Sequence, residues 1–249
     1  TAYEIPLRLV GSEMCIRDSL ITGPGAITGV VILSGKAPTN FSVLVLLFSV
    51  IISMFIFYFI LKAGNYILGK YPELAISEVV KPEEVEKTLI QEIDSSGEVS
   101  FLSKDISEVV KLFCMLFNVN SVWLRLDAID KPMCPRFHAD YLKCRLVSTY
   151  KGPATQWIPH NLVNHSKLGS GNEGKSDKES GLFLKDEDIK QLNIGDIGLL
   201  KGEAWEGNQG GGIVHRSPHS EDSRQRLYMT IDFVDLYLRI FQNRSNIDI

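Results

Sequence analysis

The sequence predicts an α+β fold: N-terminal helices, then a barrel or sandwich of short strands, all preceded by a hydrophobic transmembrane helix. Three observations predict it. Val43 to Leu61 is a run of 19 residues without a charge. Residues 81–117 repeat apolar side chains at helical spacing. From Ser121 onward apolar residues recur at every second position, in short pieces separated by Gly, Pro and Asn. In 249 residues, 45% hydrophobic and 22% charged leave enough apolar surface for a packed core and exclude disorder as the main state. A net charge of −4 without a Lys/Arg cluster argues against a nucleic-acid partner. The four cysteines form no CxxC pair, so a disulfide framework or zinc ribbon has no support.

Along the chain, RLVGSEMCIRDS (residues 8–19) has no periodicity, cap or secretory pattern. It resembles translated sequencing adapter, so residues 1–19 are expected to be an artefact and Cys15 to carry no meaning. Leu20–Leu33 is apolar but broken by Gly23, Pro24, Gly25 and Gly29; it is too short to cross a bilayer cleanly and reads as a half-helix, a re-entrant segment or the remnant of a longer span. The run Val43–Leu61 would make a helix of roughly 28 Å, about the thickness of a hydrocarbon core. The plainer alternative, a buried helix of a soluble core, ordinarily carries more polar residues than Ser49 and Ser53. Lys62 and Lys70 after the run, against Lys36 before it, favour a cytoplasmic C-terminal side. The chain therefore divides into residues 1–19, a membrane segment 20–70 and a soluble β-barrel domain 71–249. With GPGAIT near its start and ILKAGNYILG at its end, Ile21–Gly69 resembles part of the MarC family of bacterial inner-membrane proteins, covering about two of that family's several spans. The resemblance implies an inner-membrane location; if the N-terminal part is an assembly artefact, the domain is cytoplasmic.

In the soluble part, Lys81-Pro82-Glu83-Glu84 opens a helix to about Ile93, with proline and acidic residues in its first turn. A second helix follows Ser103, taken as its cap, with Ile106, Val109, Val110, Phe113 and Phe117 on one face. SVWLRLDAI, CRLVSTY, IGLLKG, GIVHR and RLYMTIDF are strand candidates. Residues 150–157 form a turn and a strand, with Trp157 and Trp205 as candidate cavity or core residues. Asn164–Gly181 is a polar, Gly/Ser-rich loop, and Asp186–Leu192 reads as one short amphipathic helix.

The chemistry concentrates in CPRFHAD, Cys134–Asp140. His138 and Asp140 are two apart, so on extended chain both side chains leave one face. His215, closing the strand in GGGIVHRSP, is the best second histidine. Two histidines and one carboxylate on one side of a metal form the facial triad of non-haem Fe(II) oxygenases, which leaves coordination positions open. Zinc is the alternative metal, with Cys134 beside His138 as conceivable ligands, although no complete four-ligand pattern is present. Lys201 and Glu203 reach the metal site or face solvent; His160, His165 and His219 read as solvated. No GxGxxG, P-loop, GxSxG or HExxH occurs.

The order of a Gly195-Asp196 turn before one strand and His215-Arg216-Ser217-Pro218 at the end of the next resembles the 2-oxoglutarate/Fe(II) dioxygenase superfamily. That resemblance implies a double-stranded β-helix (cupin/jelly-roll-like) and a late-strand basic residue that pairs with the carboxylate of 2-oxoglutarate. Arg226 matches best, sharing a strand face with Tyr228 and Thr230, and Arg224 competes with it; a guanidinium suits the role because its fork meets a carboxylate bidentately. The runs FHADYLKCRLVSTYKGPATQW, GDIGLLKGEAWEGNQGGGIVHRSP and RLYMTIDF more closely resemble the bacterial domain of unknown function 1826, over about Ser77–Phe233. The leading expectation is an Fe(II)/2-oxoglutarate oxygenase of unnamed, small-molecule or other substrate, held at the membrane by residues 43–61. A non-catalytic metal- or ligand-binding barrel, for sensing or storage, is the second. The third is a fragment of a MarC-type multi-pass membrane protein fused to the barrel.

Overall fold

The computed structural model describes residues 15–17, 40–218 and 225–235. Arg224, His219 and the segment Leu20–Leu33 lie outside the described residues.

Helix α1 (Asn40–Lys70) is 31 residues long, free of proline and rich in Leu, Ile and Phe. By length and composition it is the one helix among the described residues able to cross a membrane, over Phe48–Lys70. Its two halves differ. Leu44, Phe48, Ile51, Phe55 and Tyr58 are exposed, whereas Ile60, Ala63, Ile67 and Leu68 are buried in the main core. Gly64 permits that packing: a Cβ there would sit 3.0 Å from the Tyr150 carbonyl oxygen. The end of α1 is tied down by Asp94, whose carboxylate accepts from Tyr66 Oη (2.7 Å), Lys70 Nζ (2.9 Å), Tyr71 Oη (3.0 Å) and the Ser96 amide (2.8 Å).

Helix α2 (Val85–Glu92) follows a tight turn at Pro82–Glu84. Helix α3 (Gly97–Phe117) starts earlier than its apolar face suggests. Its cap is Ser96, whose Oγ accepts from the Val99 amide at 3.3 Å, and not Ser103. Ser103 is buried inside the helix and donates to the Ser100 carbonyl instead. The expected face is otherwise present, with Ile106, Val109, Val110 and Phe113 buried and Phe117 partly so. Asn118 ends the helix in the left-handed conformation that asparagine tolerates (φ 51°).

Strands β1 (Cys15–Arg17), β2 (Ala75–Val80), β3 (Val122–Ile129), β4 (Cys144–Lys151), β7 (Ile197–Lys201) and β9 (Arg226–Asp232) form one sheet in the order β1-β7-β4-β9-β3-β2. Strands β5 (Gln156–Ile158), β6 (Lys190–Gln191) and β8 (Val214–Arg216) form a second, β6-β5-β8. All pairings are antiparallel. The fold is thus mixed helix and antiparallel sheet. Among the described residues no hydrogen-bonded ladder closes the two sheets into one barrel. Asp186–Leu192 is not a helix: one turn at Asp186–Asp188 leads into β6, where Lys190 and Gln191 pair with β5. Seven residues are too few to offset helix nucleation, and the ladder satisfies their backbone instead.

The large sheet separates two environments. On β9, Leu227, Met229 and Ile231 join the core beneath α1–α3. The alternate residues Arg226, Tyr228, Thr230 and Asp232 share the opposite face. Strand β4 does the same, with Leu146 and Tyr150 toward the helices and Arg145, Val147 and Thr149 on the other side. There Val147, Ala154, Leu192, Leu200 and Ile213 make a second cluster, with Trp157 and Tyr228 against it.

Candidate metal centre

His138 lies in the extended segment after β3 and pairs with β8 by a single bridge: each of His138 and His215 donates its amide to the other's carbonyl at 3.0 Å. Directly opposed residues of an antiparallel pair put their side chains on the same face. The two imidazoles accordingly lie 4.6 Å apart, centroid to centroid. Trp157 faces His215 across the next pairing, between β5 and β8.

Each ring is oriented by its own strand. His138 Nδ1 lies 2.9 Å from the Arg136 carbonyl oxygen, and His215 Nδ1 3.0 Å from that of Ile213. A carbonyl can only accept, so both Nδ1 atoms carry a proton, and in the neutral ring the Nε2 atom is left as the ligand atom. Those Nε2 atoms converge on Asp140, at 3.6 Å from Oδ1 (His138) and 3.7 Å from Oδ2 (His215). One ligand atom from each of the three residues lies within 4.8 Å of the others. This is a candidate metal site with the donor set expected from the sequence, and backbone-fixed Nδ1–H groups are the usual outer support of metal-binding histidines. It opens on one side, since the His138 side chain is 33% exposed against 8% for His215.

Burial pushes the His215 imidazole down to about 4, despite the nearby Asp140 charge. The Asp140 carboxylate beside it raises His138 above the ordinary imidazole value, against the effect of burial. Burial pushes the Asp140 carboxyl up, but the neighbouring His138 imidazole and the Arg145 and His215 charges outweigh it and hold it well below the usual carboxylate range. The site therefore holds an ionised carboxylate and an uncharged His215.

Arg226, 3% exposed, begins β9 on the face shared with Tyr228 and Thr230. Its guanidinium lies 4.8 Å from the Tyr228 ring centroid and reaches Thr149 Oγ1 at 3.4 Å. Its Nε and Nη1 are buried without a hydrogen-bond partner. A buried guanidinium with unpaired N–H groups is costly unless something anionic completes it. Gly152 (φ 84°) lets the chain turn tightly beside it, since a Cβ there would lie 2.6 Å from the Gln225 carbonyl oxygen.

The family model described as "Protein of unknown function (DUF1826)" matches residues 68–232. The chain belongs to that family. Every residue of the candidate site lies within the DUF1826 match, which begins after most of α1. No curated protein matches the chain. Among solved structures, the dioxygenase for auxin oxidation 1 from Arabidopsis thaliana, in its complex with 2-oxoglutarate, is similar at 8% identity with a TM-score of 0.37. That match covers 64% of this chain and 61% of that one. A likeness of this size shows neither a shared site nor a shared reaction.

Cys134 is exposed and does not belong to the ligand group of the DUF1826 domain. Glu203 turns away from a ligand role, accepting from the Gly210 and Gly212 amides and so bracketing its own loop. Lys201 lies over the Trp205 ring (5.3 Å), and Trp205 packs edge-on against Phe117. The His160 and His165 rings lie 4.2 Å apart, tilted by 45°, and His160 Nδ1 is buried without a partner, so this pair is not simply solvated.

Four residues unnoticed in the sequence support the site. Arg145 donates from Nη1 to Asp140 Oδ2 and from Nε to Asp232 Oδ1, both at 2.8 Å. Arg125 donates to the other oxygen of Asp232 (3.1 Å) and to Thr230 Oγ1 (3.0 Å). Asp177, in the loop 164–181, accepts the Phe137 amide (3.0 Å) and pairs with Arg136 (3.2 Å) and Arg216 (3.6 Å). It thereby pins the neighbours of both histidines.

Proposed function

We propose that this DUF1826 domain is a metal-dependent oxygenase in which His138, Asp140 and His215 hold Fe(II) and Arg226 anchors the carboxylate of 2-oxoglutarate. The observation that carries the reading is the convergence of two imidazole Nε2 atoms and one ionised carboxylate at a site open on one side. The unpaired Nε and Nη1 of Arg226 support an anionic second ligand, with Thr149 and Tyr228 beside it to orient the group, while the Thr230 hydroxyl accepts from Arg125. Arg224 competes for that role only from outside the described residues. Bound there, Fe(II) with 2-oxoglutarate supplies oxidation of a substrate C–H bond by dioxygen, with decarboxylation of the co-substrate. The chain's own contribution is to fix the ligand rings, keep Asp140 ionised and bury Arg226 away from water.

The fold reading that accompanies this function is a double-stranded β-helix. It is supported by the path of the chain, which alternates between the sheets: β3 in the large one, His138 in the small one, β4 large, β5 and β6 small, β7 large, β8 small, β9 large. Helix α1, apolar on its exposed residues and carrying Lys62 and Lys70 after its uncharged run Val43–Leu61, is proposed to hold the protein at a bacterial inner membrane with the domain on the cytoplasmic side.

The test is metal and co-substrate binding by the purified full-length chain. Fe(II) should bind stoichiometrically, and His138→Ala or Asp140→Ala should each abolish binding while the circular dichroism spectrum is retained. Titrated 2-oxoglutarate should bind the metal-loaded protein and lose at least tenfold in affinity in Arg226→Ala. Absence of Fe(II) binding in the wild type sinks the reading. Metal binding with no response to 2-oxoglutarate would leave a metal-holding module and remove the oxygenase.

A further inference from the structure

Asp140 has two carboxylate oxygens, and their surroundings differ. Oδ1 faces His138 Nε2. Oδ2 faces His215 Nε2 and also accepts a 2.8 Å hydrogen bond from Arg145 Nη1. Arg145 is not a free surface arginine that happens to lie near. Its Nε is held at 2.8 Å by Asp232, which is wholly buried and itself held by Arg125. Charges thus alternate along Asp140, Arg145, Asp232 and Arg125, across the inner faces of β4, β9 and β3. Burial of so many charges is costly unless each is paired, and each is. The arrangement is also more than a pair: Asp232 fixes the guanidinium so that one of its forks is aimed at Asp140.

We infer that Arg145, oriented by Asp232, is the positioning residue that holds one oxygen of Asp140 and leaves the other for the metal. The inference rests on the metal-site reading above. Two consequences follow from the chemistry. A carboxylate with one oxygen occupied by a guanidinium is kept from turning both oxygens to a cation, so open positions at the metal are preserved. The guanidinium also fixes the rotation of the carboxylate relative to the two imidazoles before any metal arrives. Outer partners of this kind are typically worth about 10–100-fold in metal affinity.

The test uses Co(II) as the probe, titrated into the full-length protein and followed by its visible absorption. Removing Arg145 alone would leave Asp232 with one of its two guanidinium partners and add net negative charge near the metal, so the informative variant is the double substitution Arg145→Met/Asp232→Asn. It deletes one positive and one negative charge and leaves the net charge unchanged. Any loss of affinity then reports orientation of Asp140 and not a change in overall field. With the metal-free melting temperature and circular dichroism showing a folded protein, Co(II) should bind at least tenfold more weakly, with an altered visible spectrum. Arg145→Lys, which can still donate to Asp140, should remain within about threefold of wild type. Wild-type affinity and spectrum in the folded double variant overturn the inference while leaving the metal site standing. So does an Arg145→Lys protein as weak as the double variant. Failure of the wild type to bind Co(II) is a different result, and removes the metal reading itself.

Discussion

The two faces of the large sheet are built from the same strands and serve different ends. On β9, Leu227, Met229 and Ile231 are buried beneath the helices, while one residue over in each case stand Arg226, Tyr228, Thr230 and Asp232. The helix side gains its stability from area: closely packed aliphatic and aromatic groups with few polar contacts, such as Tyr150 to Asp105 and those at Asp94. The inner side buries guanidinium, carboxylate, hydroxyl and imidazole groups beside a smaller apolar cluster. Such groups add little net stability, because desolvation offsets their attraction. The difference teaches that residues holding the fold and residues equipped for chemistry need not lie in separate regions. A two-residue period is enough to separate them.

The comparison can be broken most forcefully from the helix side. Ile231→Ala, at a fully buried position, should cost ~2–5 kcal/mol in chemical denaturation, while metal affinity per folded molecule stays unchanged. A loss of metal binding beyond the unfolded fraction would show that the two faces are coupled. From the inner side the sign reverses. Arg226→Met removes a buried guanidinium with two unpaired nitrogens, and should stabilise the ligand-free protein by about 1–3 kcal/mol while weakening 2-oxoglutarate binding. A destabilised variant would mean that Arg226 is structural. Smaller again is Ser96→Ala, which removes the cap of α3 and should cost ~1 kcal/mol in the same denaturation measurement.

The mildest effect concerns Asp94, whose carboxyl is held below the usual range: the Ser96 and Tyr66 hydrogen bonds and the Lys70 contact outweigh the effect of its burial. A depressed folded-state value means that its contribution is complete above the unfolded carboxylate value of roughly 4 and fades as pH falls below that. The melting-temperature gap between wild type and Asp94→Asn should therefore be full at about pH 6 and shrink by about pH 3. A gap independent of pH would assign Asp94 a role other than its charge.

Much of this was legible in the chain. Five strands were marked by their period, and His138, Asp140 and His215 by residue type and position. Arg145, Asp232 and Asp177 were not. On a strand an isolated Arg or Asp reads as a solvent-facing charge, and the partners that bury these lie on other strands or in a distant loop. Arg145 and Asp232 sit on neighbouring strands of the large sheet, and only strand order brings them together. Ser103 reads as a cap because it precedes the apolar face, but the helix reaches back to Ser96, where a hydroxyl can meet an orphan amide. The Asp186–Leu192 stretch has helical spacing, but pairing with β5 satisfied its backbone first.

By itself the sequence determined where the chain is apolar, where its period changes from helix to strand, and which donors exist. Those properties are local, written in the spacing of side chains along a few turns or a single strand. Only the tertiary structure decided that His138 and His215 face each other across a bridge of two hydrogen bonds, and that Asp140 shares one oxygen with a guanidinium. It also left Arg226 buried without a full set of partners. Distances between residues far apart in sequence depend on strand order and register, which arise from the packing of the whole domain and are encoded in no single segment.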